Sequence, residues 1–315
     1  MDGQRVAVID LGTNTFNLLI AKVTATAMEQ EYFEKVPVKL GRGGIGKGII
    51  TPDAQARALR AMHRYLRILD EKGASTLLAY GTSALRSARN SGELLDRIRR
   101  DTGIGVQVIS GDEEARLIYL GVRESITPGD TFLILDIGGG SVEFILAHPR
   151  QGPLWQQSFP LGMARIIEQF TLSDPATHKE EQLLIRHFDR SLSPLWEALR
   201  HHPSTTLVGA SGTFDTLRAL GEAQKLITTT NTPAAELPLP VFDRLYRQLI
   251  RSTTAEREKM EGMEPFRIEM IVPATIFVNF ILSKTGIPRL YQTTFALKEG
   301  AIVDWREKHR EQLKN

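Results

Sequence analysis

Two stretches of this chain set a carboxylate at the end of an apolar run, directly before a turn of small residues. In VIDLGTNTFNLLI the carboxylate is Asp10 and the turn carries Thr13, Asn14 and Thr15. In ILDIGGGSVEFIL it is Asp136, followed by Gly138, Gly139, Gly140 and Ser141, and then by a second carboxylate, Glu143. Consecutive glycines are costly in chain entropy, and a two-residue hairpin does not need three of them. What they supply is bare peptide N–H groups in succession, a concave nest for an anion. Asp136 and Glu143 flank the nest and can face one pocket, where they would hold a hydrated Mg²⁺ against phosphate. A glycine bulge is the alternative reading of the same residues. Thr13, Asn14 and Thr15 offer hydroxyl, amide and backbone donors in one loop, which suits phosphate oxygens, although ordinary hairpins use the same residue types.

A third stretch, LVGASGTFDTL, reads as a strand end, then Gly209, Ser211, Gly212 and Thr213, then a helix. A helix N-terminus with small residues is an anion site, or simply a Ser/Thr cap. YGTSALRSARN carries Arg86 and Arg89. Arginine forks match phosphate oxygens in bidentate fashion. Arg86 lies sooner after the strand TLLAY and is the functional choice, while Arg89 reads as a solvated helix charge.

In ISGDEEARLIYLGV helical spacing separates two adjacent acids. Glu114 shares a face with Leu117, Ile118 and Gly121; Glu113 shares one with Arg116, Leu120 and Glu124. Ser110 and Glu113 fit a capping box. Glu113 thus has a structural role available, and Glu114 points inward without one. An inward carboxylate near bound polyphosphate is expected to have its pKa raised by burial and like charge, which suits a general base activating water. The alternative is a first-turn acid favoured by the helix dipole.

GRGGIGKG matches G-x-x-x-x-G-K over Gly41 to Lys47, but Gly48 stands where a P-loop needs Ser or Thr. Thr51-Pro52 also starts the next helix too late. We read a flexible loop whose Arg42 and Lys47 can line a channel. Histidines are scattered without metal spacing, and no Gly-x-Ser-x-Gly elbow occurs.

The elements that must position these groups come in two rounds. RVAVID, FNLLIAKV and YFEKVPVKL read as strands, followed by a helix from Thr51-Pro52 to Gly73, the strand TLLAY, the helix SGELLDRIRRDTG, the strand VQVIS and the helix GDEEARLIYLGVRES. After TPGD the plan restarts with the strands TFLILDI, VEFILAH and PLWQQSFPL. Helices GMARIIEQF and KEEQLLIRHFDRSLSPLWEALRHH follow, then strand, glycine turn and helix in TTLVGASGTFDTLRALG, and a mostly helical remainder. AVIDLGTNTFNLLI and LILDIGGGSVEFIL match by eye, which indicates an internal duplication. Two related α/β domains are expected, residues 1–126 and 127–315, with a last helix at about 300–315 free to pack on the first. The default ligand site for such a pair is the cleft between domains.

Composition sets outer limits. The chain has 315 residues, 42% of them hydrophobic and 24% charged, with a formal net charge of +2. These are values of an ordinary globular protein, and the charge balance gives no argument for nucleic acid. The absence of cysteine excludes disulfides, thiolate catalysis and cysteine metal sites. No signal peptide is legible, and MIVPATIFVNFIL is broken by Pro273 and Asn279 and is too short to span a bilayer. A soluble, cytoplasmic protein is expected, with no nucleic-acid or membrane partner.

Together these stretches resemble the exopolyphosphatase / guanosine pentaphosphate phosphohydrolase family, within the actin, sugar kinase and heat-shock protein superfamily. The matching residues are VIDLGTNTFNLLI (8–20), YGTSALR (80–86), ISGDEEARL (109–117), ILDIGGGSVEFIL (134–146) and VGASGT (208–213), with shorter matches at MIVPA (270–274) and ALKEGAI (296–302). The resemblance implies two ribonuclease-H-like (actin-like ATPase) domains with the active site between them. It implies Glu114 as catalytic base, and phosphate contacts from Thr13, Asn14, Thr15, Arg86, Gly138 to Ser141 and Gly209 to Thr213. It implies Mg²⁺ near Asp136 and Glu143, with Asp10 as a further ligand. The substrate would be inorganic polyphosphate or, with the same atoms and another leaving group, guanosine pentaphosphate (pppGpp). A homodimer is compatible with this. Family members usually carry Thr before the second glutamate, where this chain has Val142, so Val142 is left out of the site. An ATP-dependent kinase of the same superfamily is the alternative of another class; it needs a nucleoside pocket, and none is legible. A regulatory nucleotide-binding protein without turnover is a third.

Overall fold

The computed structural model describes residues 3–314. They contain two mixed sheets. The first is built from β1 (Gln4–Leu11), β2 (Thr15–Val23), β3 (Met28–Pro37), β4 (Thr76–Gly81) and β5 (Gln107–Val108), in the order β3-β2-β1-β4-β5. The second is built from β6 (Phe132–Ile137), β7 (Val142–His148), β8 (Gly152–Phe159), β9 (Thr206–Ala210), β10 (Ala234–Glu236) and β11 (Arg289–Thr293), in the order β10-β11-β9-β6-β7-β8. Apart from β10, the two orders are the same plan. In each, three antiparallel strands run consecutively, and the first of them takes a parallel strand on its other side. Even the register shift recurs, between Ile20 and Ala21 against β3 and between Leu146 and Ala147 against β8. The chain is α/β and internally duplicated.

The helices are α1 (Pro52–Lys72), α2 (Ser83–Ser87), α3 (Ser91–Thr102), α4 (Gly111–Ser125), α5 (Met163–Gln169), α6 (His178–Ser191), α7 (Ser193–His201), α8 (Gly212–Ala223), α9 (Leu239–Arg251), α10 (Thr254–Arg257), α11 (Ile271–Thr285) and α12 (Leu297–Lys308). Helix α1 starts where the sequence signals it: the Thr51 side chain accepts from Ala54 N, Pro52 occupies the first turn, and Gly73 closes it in the left-handed region at φ 63°. One expectation needs correction. The segment 179–202 is not one helix; it breaks at Leu192, because Pro194 has no N–H for an interior turn and opens α7 instead. The last third is mostly helical, as expected, and also contributes β11, which lies inside the second sheet between β9 and β10.

Two compact units result, one formed by residues up to Gly121 together with those from Ala296 onward, the other by Val122–Phe295. The dividing point lies within α4, ahead of the boundary between residues 126 and 127 that the sequence suggested. In the first unit, alternate residues of the sheet feed two cores. Ala7, Ile9, Leu11, Phe16, Leu18 and Ile20 pack with α1 and α3. Val6, Val8, Leu19, Ala21 and Val23 pack with Ala301, Ile302 and Trp305 of α12. Helix α12 meets α4 through glycines: a Cβ on Gly300 would lie 1.7 Å from Leu117 O, and one on Gly121 would lie 2.1 Å from Ala296 O. In the second unit, Leu133, Leu135, Ile137, Val142 and Phe144 face a core shared with α6, α8, α9 and α11. Phe188 and Phe277 meet there edge to face, with centroids 4.6 Å apart. No helix among the described residues is long and apolar enough to cross a membrane.

Candidate active site

Pleating decides which residues of each hairpin can do chemistry. Val6 and Val8 of β1 lie on the α12 side of the sheet, so Asp10, two residues on, lies on that side too. Its register partner across β2 is Asn17, whose Nδ2 donates to Asp10 Oδ2 at 3.0 Å. Burial pushes the Asp10 carboxyl up to about 6, against the Asn17 hydrogen bond and the charge of Lys298. Lys298 itself pairs with Glu299 at 3.0 Å, and Glu299 accepts from the Ala296 amide to cap α12.

The second hairpin repeats this geometry with a different partner. Asp136 stands opposite Glu143 in the β6–β7 register, so two carboxylates face the same side of one ladder. Each is steadied by a serine: Ser211 Oγ donates to Asp136 Oδ2 at 2.9 Å, and Ser158 Oγ to Glu143 Oε1 at 2.6 Å. Asp136 and Glu143 are 8% and 1% exposed, and carboxylates buried that far need such partners. Val142, one residue out of phase, faces the other side and is enclosed in the hydrophobic core with Ile137. A threonine there would put its hydroxyl into the core and not beside Glu143, so the departure from the family pattern falls on a packing position.

The turns between these strands match as well. Gly12 N donates to Thr15 O at 3.1 Å, and Gly138 N to Ser141 O at 3.0 Å. A Cβ on either glycine would press on the same carbonyl, at 2.8 and 2.9 Å. Each turn is backed by the segment that follows the third strand. Gly41 N donates to Thr13 O and Lys39 N to Asn14 O, at 3.1 and 2.7 Å; Met163 N donates to Gly138 O and Ala164 N to Gly139 O, at 3.0 and 2.7 Å. Arg165 Nε takes Gly140 O at 2.8 Å. The carbonyls of the glycine turn are therefore occupied, while the Gly139 and Gly140 N–H groups have no acceptor among the described residues. This is the anion nest in structural form. In the first turn the Thr13 hydroxyl is buried without a hydrogen-bond partner among the described residues, an arrangement that costs about 1–3 kcal/mol unless a ligand or water completes it.

Gly41 to Lys47 does not form a phosphate loop. Ile45–Lys47 is a short 3₁₀ turn, Lys47 is exposed, and α1 begins at Pro52.

Helix α4 separates its two acids as expected. Glu113 N donates to Ser110 Oγ at 3.1 Å, but the Glu113 carboxylate accepts from Arg116 Nε at 2.7 Å instead of returning to Ser110, so the capping box is half made. Glu114 is 7% exposed. Arg86 Nη1 holds it, donating to Glu114 Oε2 and to Ile109 O, both at 2.9 Å. The Arg86 side chain is 27% exposed, and its other nitrogens have no partner among the described residues. Arg89, by contrast, braces the loop before it, with its amide donating to Gly48 O at 2.9 Å.

In the second unit, β9 ends at Ala210 and α8 opens at Gly212. Ser211 between them adopts φ 67°, ψ −174°, a region that non-glycine residues avoid at a cost of about 1–3 kcal/mol. Gly209 lies inside β9, where the Phe214 ring occupies the space of its missing Cβ at 2.1 Å. Gly212 makes room for something polar. An ideal Cβ there would fall 1.4 Å from Nη2 of Arg267. Arg267 is a residue that sequence reasoning missed. Its Nε has no hydrogen-bond partner among the described residues, burial lowers its pKa, and Asp215, Glu264 and Asp136 are the acids that act on it. The signal available was one arginine just ahead of MIVPA, indistinguishable in sequence from a surface charge.

The Ppx/GppA phosphatase family model matches residues 19–309, most of the chain. The chain belongs to the Ppx/GppA phosphatase family. It is a phosphoanhydride hydrolase. Among solved structures, an exopolyphosphatase from Cytophaga hutchinsonii is 38% identical, with a TM-score of 0.94 over 97% of this chain and 98% of the other. The Aquifex aeolicus family member is 25% identical, with a TM-score of 0.80 over 97% and 98%. Exopolyphosphatase 2 of Mycobacterium tuberculosis is 30% identical over 95% of this chain and 98% of its own length. These matches also support the actin-like two-domain fold. The family match starts after the first hairpin turn, so Asp10 and Thr13 to Thr15 rest on the geometry above and on their echo in the second hairpin.

Proposed function

We propose that this Ppx/GppA phosphatase is an exopolyphosphatase that releases terminal orthophosphate from inorganic polyphosphate, with Glu114 as general base. The observation that carries the reading is Glu114 itself, a buried carboxylate that accepts from the Arg86 guanidinium, in a chain whose named relatives are exopolyphosphatases. A water oxygen attacks the terminal phosphorus and its proton passes to Glu114. The bond to the bridging oxygen breaks, and the chain leaves one phosphate shorter, with the charge on its new terminal oxygen. Catalysis of this kind depends on positioning and on donors aimed at developing charge. Arg86, the Gly139 and Gly140 amides, the Thr13 to Thr15 turn, and Ser211, Gly212 and Thr213 supply such donors.

Asp136 and Glu143, opposite one another in the β6–β7 ladder, are the residues that would hold Mg²⁺. Among the described residues no group of three or more His, Cys, Asp or Glu side chains forms a metal cage. Mg²⁺ suits this donor set, because it commonly uses one or two carboxylates and fills its octahedron with water and substrate phosphate. Bound there, it would neutralise phosphate charge.

Glu114→Gln is expected to lower orthophosphate release by about 10²–10⁴-fold while leaving polyphosphate binding nearly intact. Release is to be measured with Mg²⁺ on short polyphosphate, long polyphosphate, pppGpp and ATP in parallel. Unchanged release by the variant would sink the mechanism. Dominant turnover of pppGpp, or of ATP with an added sugar, would replace the substrate.

A further inference from the structure

Arg267 makes no ion pair within 4.0 Å among the described residues, although Asp215, Glu264 and Asp136 act on it electrostatically. Its guanidinium lies against Gly212 at the start of α8, with Nε unpartnered. A helix N-terminus repels a cation, so an acid has to counter that field. Asp215 is three residues along α8 from Gly212 and therefore on the same face. It is also the first of the acids acting on Arg267.

The orientation of Asp215 is set from behind. Gln292, on β11 and 1% exposed, donates from Nε2 to Asp215 Oδ1 at 2.7 Å. Its Oε1 accepts from Arg218 Nη1 at 2.9 Å. Arginine can only donate, so the amide can stand only one way round, with its NH₂ toward Asp215. Arg218, 9% exposed, is fixed in turn by Glu222 at 2.8 Å and by Thr230 Oγ1 at 2.9 Å. From Arg218 through Gln292 to Asp215 the donors therefore all point one way, and Asp215 Oδ1 is fixed as the acceptor at its end.

We propose that Asp215 is the positioning residue for Arg267. Oriented by Gln292 and Arg218, it holds the guanidinium over Gly212, where Arg267 receives a phosphate oxygen of the substrate. The inference rests on the reading of Ser211 to Thr213 as a phosphate loop. Substrate phosphate takes over Arg267 on binding, and Asp215 keeps the side chain from swinging out when the site is empty.

The test is a double-mutant cycle with Asp215→Asn, which keeps the shape, and Arg267→Ala. Binding of tripolyphosphate is read by calorimetry, and turnover is read separately as KM and kcat. Asp215→Asn is expected to weaken tripolyphosphate binding and raise KM about tenfold, with kcat changed less than about threefold. In the Arg267→Ala background the same substitution should add less than about twofold, because the two residues act as one unit. Gln292→Leu should reproduce the Asp215→Asn pattern more weakly. A purely structural Asp215 would lower the melting temperature and multiply its effect in both backgrounds, which overturns the proposal. So does Arg267→Ala with unaltered binding. Failure of the wild type to release phosphate from polyphosphate would instead count against the proposed function, and the binding arm would still decide the role of Asp215.

Discussion

At the residue scale the site is marked by groups that a folding protein avoids. Asp10 is one. Its carboxyl is raised to about 6 by burial, so the protonated form is the one the fold prefers. Stability from this group is complete below the unfolded value near 4 and is lost as pH rises through about 6. Asp10→Asn should therefore stabilise the metal-free protein at pH 8 by about 1–2 kcal/mol, allowing for solvent that reaches the group, and should make no difference at pH 4. Urea titrations in EDTA at both values check this; equal stabilities at pH 8 would contradict it. Ser211 is another. Glycine usually destabilises relative to alanine, but at φ 67°, ψ −174° the order should invert, with Ser211→Gly more stable than Ser211→Ala by about 1 kcal/mol. Both variants lose the bond to Asp136, so both should lose activity whatever their melting temperatures.

At the element scale, hairpin, backing loop and helix start act as modules. The loop between β3 and α1 leans on the first turn through Gly41 and Lys39, and Arg57 secures it by donating to Val38 O and Lys39 O at 2.6 and 2.9 Å. It carries Arg42 and Lys47 exposed and contains no acid between Lys39 and Thr51. Such a segment suits the distal part of a polyanion, and its effect should screen with salt. The double variant Arg42→Ala/Lys47→Ala should raise KM for long polyphosphate about tenfold at low salt, with a shallower salt dependence, and alter tripolyphosphate less than about twofold. KM measured against chain length at two ionic strengths checks it; an equal effect on both substrates would assign the loop to the reacting phosphate.

At the scale of the whole molecule, duplication explains the architecture. Both sheets follow one strand order, and both hairpins place an acid at the same point. The copies then diverged where chemistry differs, with Asn17 opposite Asp10 and Glu143 opposite Asp136. The first unit is discontinuous in sequence, because α12 supplies Ala301, Ile302 and Trp305 to the core under β1 and β2. A chain ended after Phe295 should therefore lose on the order of 5 kcal/mol of burial from that unit. Amide exchange should show β1 and β2 deprotected while β6, β7 and β9 remain slow; unchanged protection in β1 and β2 would exclude α12 from that core.

The sequence alone determined what depends on local pattern. Period-two alternation and glycine punctuation located the two hairpins, helical spacing separated Glu114 from Glu113, and Thr51-Pro52 and Gly73 bounded α1. These are short-range effects, written into neighbouring residues. What needed the tertiary structure was everything set by residues far apart in the chain. Arg267 meets Gly212 across more than fifty positions, Gln292 orients Asp215 across |i−j| = 77, and β11 is inserted beside β9. Val142 was a puzzle in sequence and is a core residue in the fold, because strand pleating turns it away from Glu143. Local spacing fixes which side chains share a face, and only the packing of distant segments decides what that face meets.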